Sequence, residues 1–345
     1  MGSRAAASAD PVRVGLVGAG RIGISHATIL ARHVPGARLR AVADPRPGAA
    51  DRLAAELGCQ AHSDPAALFA DPEVEAVVIT ASAPAHLELI VAATAAGKHV
   101  FCEKPMGLTL DEIDRGVAAA RTAGVVLQVG FNRRFSSDFE AGHRLVVEGA
   151  VGTPQLLRSL TRDPGLADPA GVPPWTIFLQ TLIHDFDTLQ WLNPGAAPVS
   201  VYATADALVA PEYKGAGLLD TAVVVITFDN GAIGVAEASF SAAYGYDVRG
   251  EVFGSGGMLT MGSGARSSLQ HSTSSGRHVE TVRSDVELFR DAYTAELVEF
   301  TDAVREGRAP AVTGEDARRA LALALASIES VTSGGPVPVD KVGAR

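Results

Sequence analysis

Short apolar runs at 12–17, 39–43, 76–80, 99–102 and 125–129 recur through the first 130 residues, with helical periodicity between them. The helices carry end signals. Asp64-Pro65 places a cap ahead of a proline at the first helical position. Thr109-Leu110-Asp111-Glu112 has the spacing of a capping box, and Gly97 and Gly124 stand where helices stop. Strands alternating with helices predict a parallel sheet covered on both faces, a doubly wound α/β domain over 11–131. After Phe131 the pattern changes. A helix is predicted over 137–148 and a strand over 155–162, followed by a Pro/Gly-rich loop over 163–174 and a helix carrying His184. Strands at 199–207, 221–228, 232–240 and 247–253 then follow without helices between them, and Asn230-Gly231 is a hairpin signal. They predict an α+β domain over 132–345 built on a large, mainly antiparallel open sheet. The Ser/Gly-rich stretch 262–277 reads as a mobile loop and 1–10 as a disordered N-terminus. Two helices close the chain, the second capped by Thr313-Gly314-Glu315-Asp316.

Bulk properties narrow the functional classes. A length of 345 residues fits two domains. A net charge of -10 argues against nucleic acid or an anionic membrane as partner, because phosphate binding needs a basic footprint. Two cysteines, Cys59 and Cys102, make no disulfide framework and fit a reducing compartment. No signal peptide and no membrane-spanning run is read, and the scattered histidines lack metal-ligand spacing, so the expectation is a cytoplasmic protein without a metal.

The first chemistry lies at the end of the first strand. Gly18-Ala19-Gly20-Arg21-Ile22-Gly23 follows an apolar strand and opens a helix. In a Rossmann dinucleotide site the first glycine allows the tight turn, the second admits the pyrophosphate, and the third lets helix and strand pack closely. Asp44 ends the second strand, where a carboxylate hydrogen-bonds a ribose 2'-hydroxyl and repels a 2'-phosphate. NAD is therefore favoured over NADP, although Arg46 nearby could receive a phosphate.

Further along, Lys104 stands in Phe101-Cys102-Glu103-Lys104-Pro105, and His184 in Thr181-Leu182-Ile183-His184-Asp185-Phe186-Asp187. Alone, each reads as readily as a solvated lysine or a satisfied helix histidine. With Gly130-Phe131-Asn132-Arg133-Arg134-Phe135 and Tyr244-Gly245-Tyr246-Asp247, these segments make the chain resemble the Gfo/Idh/MocA oxidoreductase family along essentially its whole length, nearest its inositol dehydrogenases.

The resemblance implies a Rossmann domain, a second domain whose sheet face makes oligomer contacts, and a dimer or homotetramer. It implies that Lys104 polarises the reacting hydroxyl and that His184 is the general base. It places Arg21, Ile22, Thr80, Ser82, His86, Glu103 and Arg133 on the cofactor side, and Asn132, Asp163 and Tyr246 toward substrate. Trp175 could stack on a sugar ring. Asp185 and Asp187 are expected to be surface or capping carboxylates. Family members of the inositol branch usually carry Asp four residues before the histidine, whereas this chain has Gln180, a group that orients but holds no charge. The expected function is oxidation of a secondary hydroxyl of an inositol-like polyol or sugar by NAD. A sugar or glycoside dehydrogenase, a biosynthetic ketoreductase and a non-catalytic NAD-binding sensor are the rival readings.

Overall fold

Six short strands, β1 (Val12–Val17), β2 (Ala37–Ala43), β3 (Gln60–His62), β4 (Ala76–Ile79), β5 (His99–Glu103) and β6 (Leu127–Gly130), form one sheet in a computed structural model that describes residues 10–166 and 168–342. Their order is β3-β2-β1-β4-β5-β6, and every pairing is parallel. All four residues of β4 are apolar and buried, as a strand covered on both faces requires. Helices α1 (Arg21–Arg32), α2 (Ala49–Leu57), α3 (Pro65–Ala70), α4 (His86–Ala95) and α5 (Leu110–Ala123) alternate with the strands. The end signals are used as predicted. Asp64 caps α3 ahead of Pro65, and Thr109 and Glu112 close a reciprocal capping box on α5. Chain order reverses between β1 and β4. In such sheets the crevice outside the strand ends at this switch point receives the ligand.

The chain divides into two compact units, one taking the chain up to Phe135 together with Asp291–Arg318, the other Ser136–Arg290 and the chain from Arg319. The sequence placed the divide at 131/132 and left everything after it in one domain. The difference is a late segment that returns to the first unit. Gln128 Nε2 on β6 donates to the Glu296 carbonyl at 2.8 Å, and the Val129 N–H donates to the Val312 carbonyl. The predicted N-terminal disorder falls on residues of which all but Asp10 lie outside the described ones.

The second unit holds α6 (Ser137–Val147), β7 (Pro154–Arg162) and α7 (Ile183–Trp191). The strands β8 (Pro198–Asp206), β9 (Thr221–Phe228), β10 (Ile233–Ser239), β11 (Asp247–Gly254) and β12 (Gly257–Met261) follow. Seven strands join in the order β12-β11-β7-β10-β9-β8-β15, the last being β15 (Val337–Pro338). Only β7 and β10 run parallel, so the sheet is mainly antiparallel. Strand β9 alternates buried and open positions, one face carrying Ala222, Val224 and Ile226 into the core and the other presenting Val223 and Val225.

The stretch read as a mobile loop is instead a hairpin, β13 (Ala265–Thr273) with β14 (Gly276–Thr281). Its serines and threonines tolerate extended backbone, and Gly276 with φ +136° supplies the turn. Helix α8 (Asp285–Leu288) precedes the closing helices α9 (Arg290–Glu306) and α10 (Gly314–Ser333). Among the described residues no helix is long and apolar enough to cross a membrane.

Candidate active site

The glycine loop between β1 and α1 is shaped by close packing. Gly18 has φ +103°, and a side chain there would meet the backbone of Thr80 and Ala81 at 2.7–2.8 Å. A Cβ on Gly23 would lie 1.8 Å from the Gly18 carbonyl oxygen. A Cβ on Gly20 would meet nothing within 4 Å, so this glycine leaves open space against the loop. The first turn of α1 has neither a side-chain cap nor an acidic residue. Its N–H groups and the positive end of the helix dipole are left for an anion. These features fit a pyrophosphate.

Asp44, just past β2, locks the loop. Its Oδ2 accepts the Ala19 N–H at 2.7 Å, and its Oδ1 accepts the Arg46 N–H at 2.8 Å. The Arg46 guanidinium adds bonds of 3.0 and 2.8 Å to the two oxygens. The bond from Arg46, with the backbone donors, outweighs burial and holds the Asp44 carboxyl at about 2, so it is anionic throughout the physiological range. Arg46 is spent on Asp44 and is itself largely exposed, an arrangement that fits a ribose diol better than a 2'-phosphate.

The loop after β4 supports the same turn. The Thr80 hydroxyl donates to the Gly18 carbonyl at 2.7 Å. Ser82 is exposed, whereas His86 is buried, with Nδ1 2.8 Å from the Pro105 carbonyl and Nε2 2.9 Å from the Ala81 carbonyl. His86 thus clasps the loop after β4 to the loop after β5 and turns both ring nitrogens to backbone. The Lys104-Pro105 bond is cis, and Lys104 is half-buried at the carboxyl end of β5. Glu103 points inward, its Oε2 accepting the Lys104 N–H at 3.1 Å. Arg21 is exposed and Ile22 half-buried at the start of α1, while Asn132 and Arg133 are buried beyond β6.

In the second unit, the helix predicted around His184 has two parts. Residues Ile177–Leu182 take the wider π turn and run directly into α7. Such π segments are rare and recur at functional sites. Gln180 lies in the π part and His184 in the first α turn, so they are not spaced by the regular four-residue turn assumed from sequence. Trp175 starts the segment at φ +61°, the one non-glycine with positive φ among the described residues. Its N–H donates to the Gly217 carbonyl, and its own carbonyl accepts the N–H groups of Phe178 and Leu179. A bulky side chain in this region costs roughly 1–2 kcal/mol, strain of a kind that clusters at active sites and ligand clamps.

Asp185 corrects an expectation. It is fully buried rather than on the helix surface, and so is Asp187. Its two oxygens accept the hydroxyls of Ser159 at 2.6 Å and Thr161 at 2.7 Å, both on β7. Only tertiary packing reveals this role, since nothing local distinguishes Asp185 from a capping acid. The anchor seats His184 above that end of the sheet. By the two-residue alternation of a strand, Asp163 continues the row of Ser159 and Thr161. The β7–β11 register pairs Arg162 with Asp247, which brings Asp163 and Tyr246 to the same strand ends. Asp163 and Tyr246 thus follow the paired ends of β7 and β11, in the sheet against which Asp185 anchors the helix that carries His184.

Comparison with known proteins agrees with both halves. Residues 12–131 match the model of the oxidoreductase family's NAD-binding Rossmann fold, and residues 174–339 that of its C-terminal alpha/beta domain. A myo-inositol 2-dehydrogenase of Thermotoga maritima is 38% identical over 340 residues, covering 96% of this chain and 99% of its own. The chain belongs to the Gfo/Idh/MocA oxidoreductase family. It is also similar to the scyllo-inositol 2-dehydrogenase (NAD(+)) of Bacillus subtilis, at 36% identity over 95% of this chain and 96% of the relative. A solved structure of scyllo-inositol dehydrogenase from Lactobacillus casei with NAD(H) and scyllo-inositol superposes with a TM-score of 0.92 at 28% identity, over 96% of this chain and all of that one. The chain is thus an oxidoreductase acting on CH–OH groups, and its Rossmann domain binds NAD.

Proposed function

We propose that this protein is an NAD-dependent dehydrogenase that oxidises a secondary ring hydroxyl of an inositol-like cyclic polyol to the ketone. The observation that carries this reading is the similarity, over nearly the whole of both chains, to inositol dehydrogenases named for two different stereoisomers.

When bound, NAD supplies the hydride acceptor. Lys104 donates a hydrogen bond to the reacting hydroxyl oxygen and stabilises the alkoxide charge that grows as hydride leaves. His184 accepts the hydroxyl proton, and the anchoring of Asp185 on β7 holds the helix for that role. Gln180 contributes an amide to a substrate hydroxyl or to the imidazole in place of a carboxylate. Asp163, Tyr246 and Asn132 supply polar contacts to the polyol, and Trp175 an apolar face. Gly18, Gly20, Gly23 and the start of α1 with Arg21 and Ile22 hold the pyrophosphate. Asp44 takes the adenosine ribose, and the Thr80, Ser82 and His86 loop, Glu103 and Arg133 complete the cofactor side.

The working form is a cytoplasmic homo-oligomer, most economically a tetramer. Support comes from the open sheet face, where Tyr202, Val223, Val225, Ile233 and Phe253 are exposed, and from two free cysteines. Sedimentation of the purified protein tests the assembly, with a monomer as the result against it. NAD reduction across a panel of inositols, pyranoses and glycosides tests the function. Turnover with myo- or scyllo-inositol is expected, and turnover confined to a glycoside would transfer the assignment.

A further inference from the structure

Three ionisable side chains meet inside the first unit; Glu103 has been given a place on the cofactor side above, and the other two, His26 and Glu296, have no part in the reaction described so far. His26 comes from α1, Glu103 from the end of β5 and Glu296 from α9. His26 and Glu296 are 0% exposed and Glu103 6%. His26 Nε2 lies 2.9 Å from Glu103 Oε1 and 3.7 Å from Glu296 Oε1, between the two carboxyl groups and in line with neither. The imidazole is walled by Phe101 and Tyr293, with ring centroids 5.7 and 5.3 Å away. Neither oxygen of Glu296 has a hydrogen-bond partner among the described residues. The other carboxylate oxygen of Glu103, Oε2, accepts the backbone N–H of Lys104.

We propose that His26 and Glu296 are positioning residues for Lys104: with Glu103 they form a buried triad that fixes the turn from which Lys104 projects. The proposal rests on the reading of Lys104 as the hydroxyl-polarising group.

The charges follow from the enclosure. Two carboxylates this close in an apolar surround cannot both ionise beside one imidazole. Burial, then the charge of Glu103, pushes the Glu296 carboxyl well above its ordinary range. Burial pushes Glu103 up as well, but the contact with His26 and the charges of His26 and Lys104 outweigh it and leave Glu103 below its ordinary range. The negative charge therefore sits on the glutamate joined to Lys104, and the proton on the one that is not. A metal ion is the rival occupant. Ligands of a tetrahedral ion with bonds of about 2.0–2.2 Å stand roughly 3.3–3.6 Å apart, farther than the 2.9 Å between His26 and Glu103. The charged or titratable groups around Glu103 include His26 on α1, Glu296 on α9, and Cys102 and Lys104 on either side of it in the chain, with Tyr293 on α9 beyond His26. From β6 it meets Gly130.

The two glutamates should respond in opposite ways to the same conservative change. Glu296→Gln replaces a neutral carboxyl by a neutral amide of the same shape, so the rate should stay within about threefold and the pH profile should not move. Glu103→Gln removes the charge that favours the Lys104 ammonium. The rate at saturating NAD should fall about tenfold or more, and the basic limb of its pH profile should shift roughly one unit lower. His26→Gln should follow Glu103→Gln, because an unpaired buried Glu103 takes up a proton. Thermal melting of each variant, with NAD added, shows that folded protein is compared. Lys104→Ala is measured alongside. If it abolishes turnover while Glu103→Gln behaves as the parent, the triad is fold alone and the proposal fails. If Glu296→Gln falls as far as Glu103→Gln, the proton is misplaced, and one equivalent of a tightly held divalent metal in the purified protein would also overturn it. If Lys104→Ala remains active, the reading of Lys104 fails first, and the triad loses its function with it.

Discussion

Two aspartates hold the two halves of the chemistry, and they do so differently. Asp44 accepts backbone N–H groups of the glycine loop and the next turn, and its remaining partner, Arg46, is exposed and can move aside. Asp185 is sealed, with both oxygens spent on hydroxyls of β7. On the function proposed above, the first carboxylate belongs to the surface that receives the cofactor, and the second to the scaffold behind the substrate side. On that reading Asp44 tunes what the cofactor loop binds, whereas Asp185 holds the helix that carries His184. Substitutions at the two ends should separate along the same line.

The largest effect is expected at Lys104. Lys104→Ala should cut the rate of NAD reduction about a hundredfold or more, a loss of roughly 3–4 kcal/mol from the transition state, with NAD binding by calorimetry unchanged. Asp185→Ala comes next. It leaves the Ser159 and Thr161 hydroxyls buried without their acceptor, so chemical denaturation should show a loss of about 2–4 kcal/mol, accompanied by a fall in turnover. Asp44→Ser should leave stability much closer to the parent and instead bring NADP affinity up toward that of NAD; if it destabilises as strongly as Asp185→Ala, the two aspartates are alike after all. With its carboxyl held at about 2, Asp44 in the parent is ionised throughout the range from pH 5 to pH 8, so NAD affinity should not weaken through Asp44 across it; isotherms at the two ends check this. The smallest effect is Gln180→Asp, which should raise the acid limb of the pH–rate profile by about one unit through a carboxylate near His184. A smaller shift would indicate that the π turn carries residue 180 away from the imidazole.

Legibility in the sequence followed the range of the interactions. The Gly18–Gly23 turn, the Asp64 and Thr109 caps and the β9–β10 hairpin could be read because the groups concerned act within a few residues of each other, although the packing of Gly18 on Thr80 and Ala81 could not. Asp44 was legible because its distance from the loop is fixed by one strand and one helix. The buried places of Asp185, His26 and Glu296 were not, since each depends on partners at least 24 residues away along the chain. The return of Asp291–Arg318 to the first unit was hidden for the same reason. The π turn before α7 escaped because the same residues satisfy an α-helical reading equally well. The β13–β14 hairpin escaped because its strands bury almost nothing, and hydrophobic alternation is the signal by which strands are found.

Isotope transfer from myo-inositol carrying deuterium on the carbinol carbon tests hydride abstraction most directly. The parent protein with NAD should yield NADH bearing that deuterium, with a slowed rate, and Lys104→Ala should yield almost none although it still binds NAD. Absence of label in NADH from every deuterated inositol, or undiminished transfer by Lys104→Ala, would contradict an inositol-like polyol as hydride donor or Lys104 as the group that prepares it.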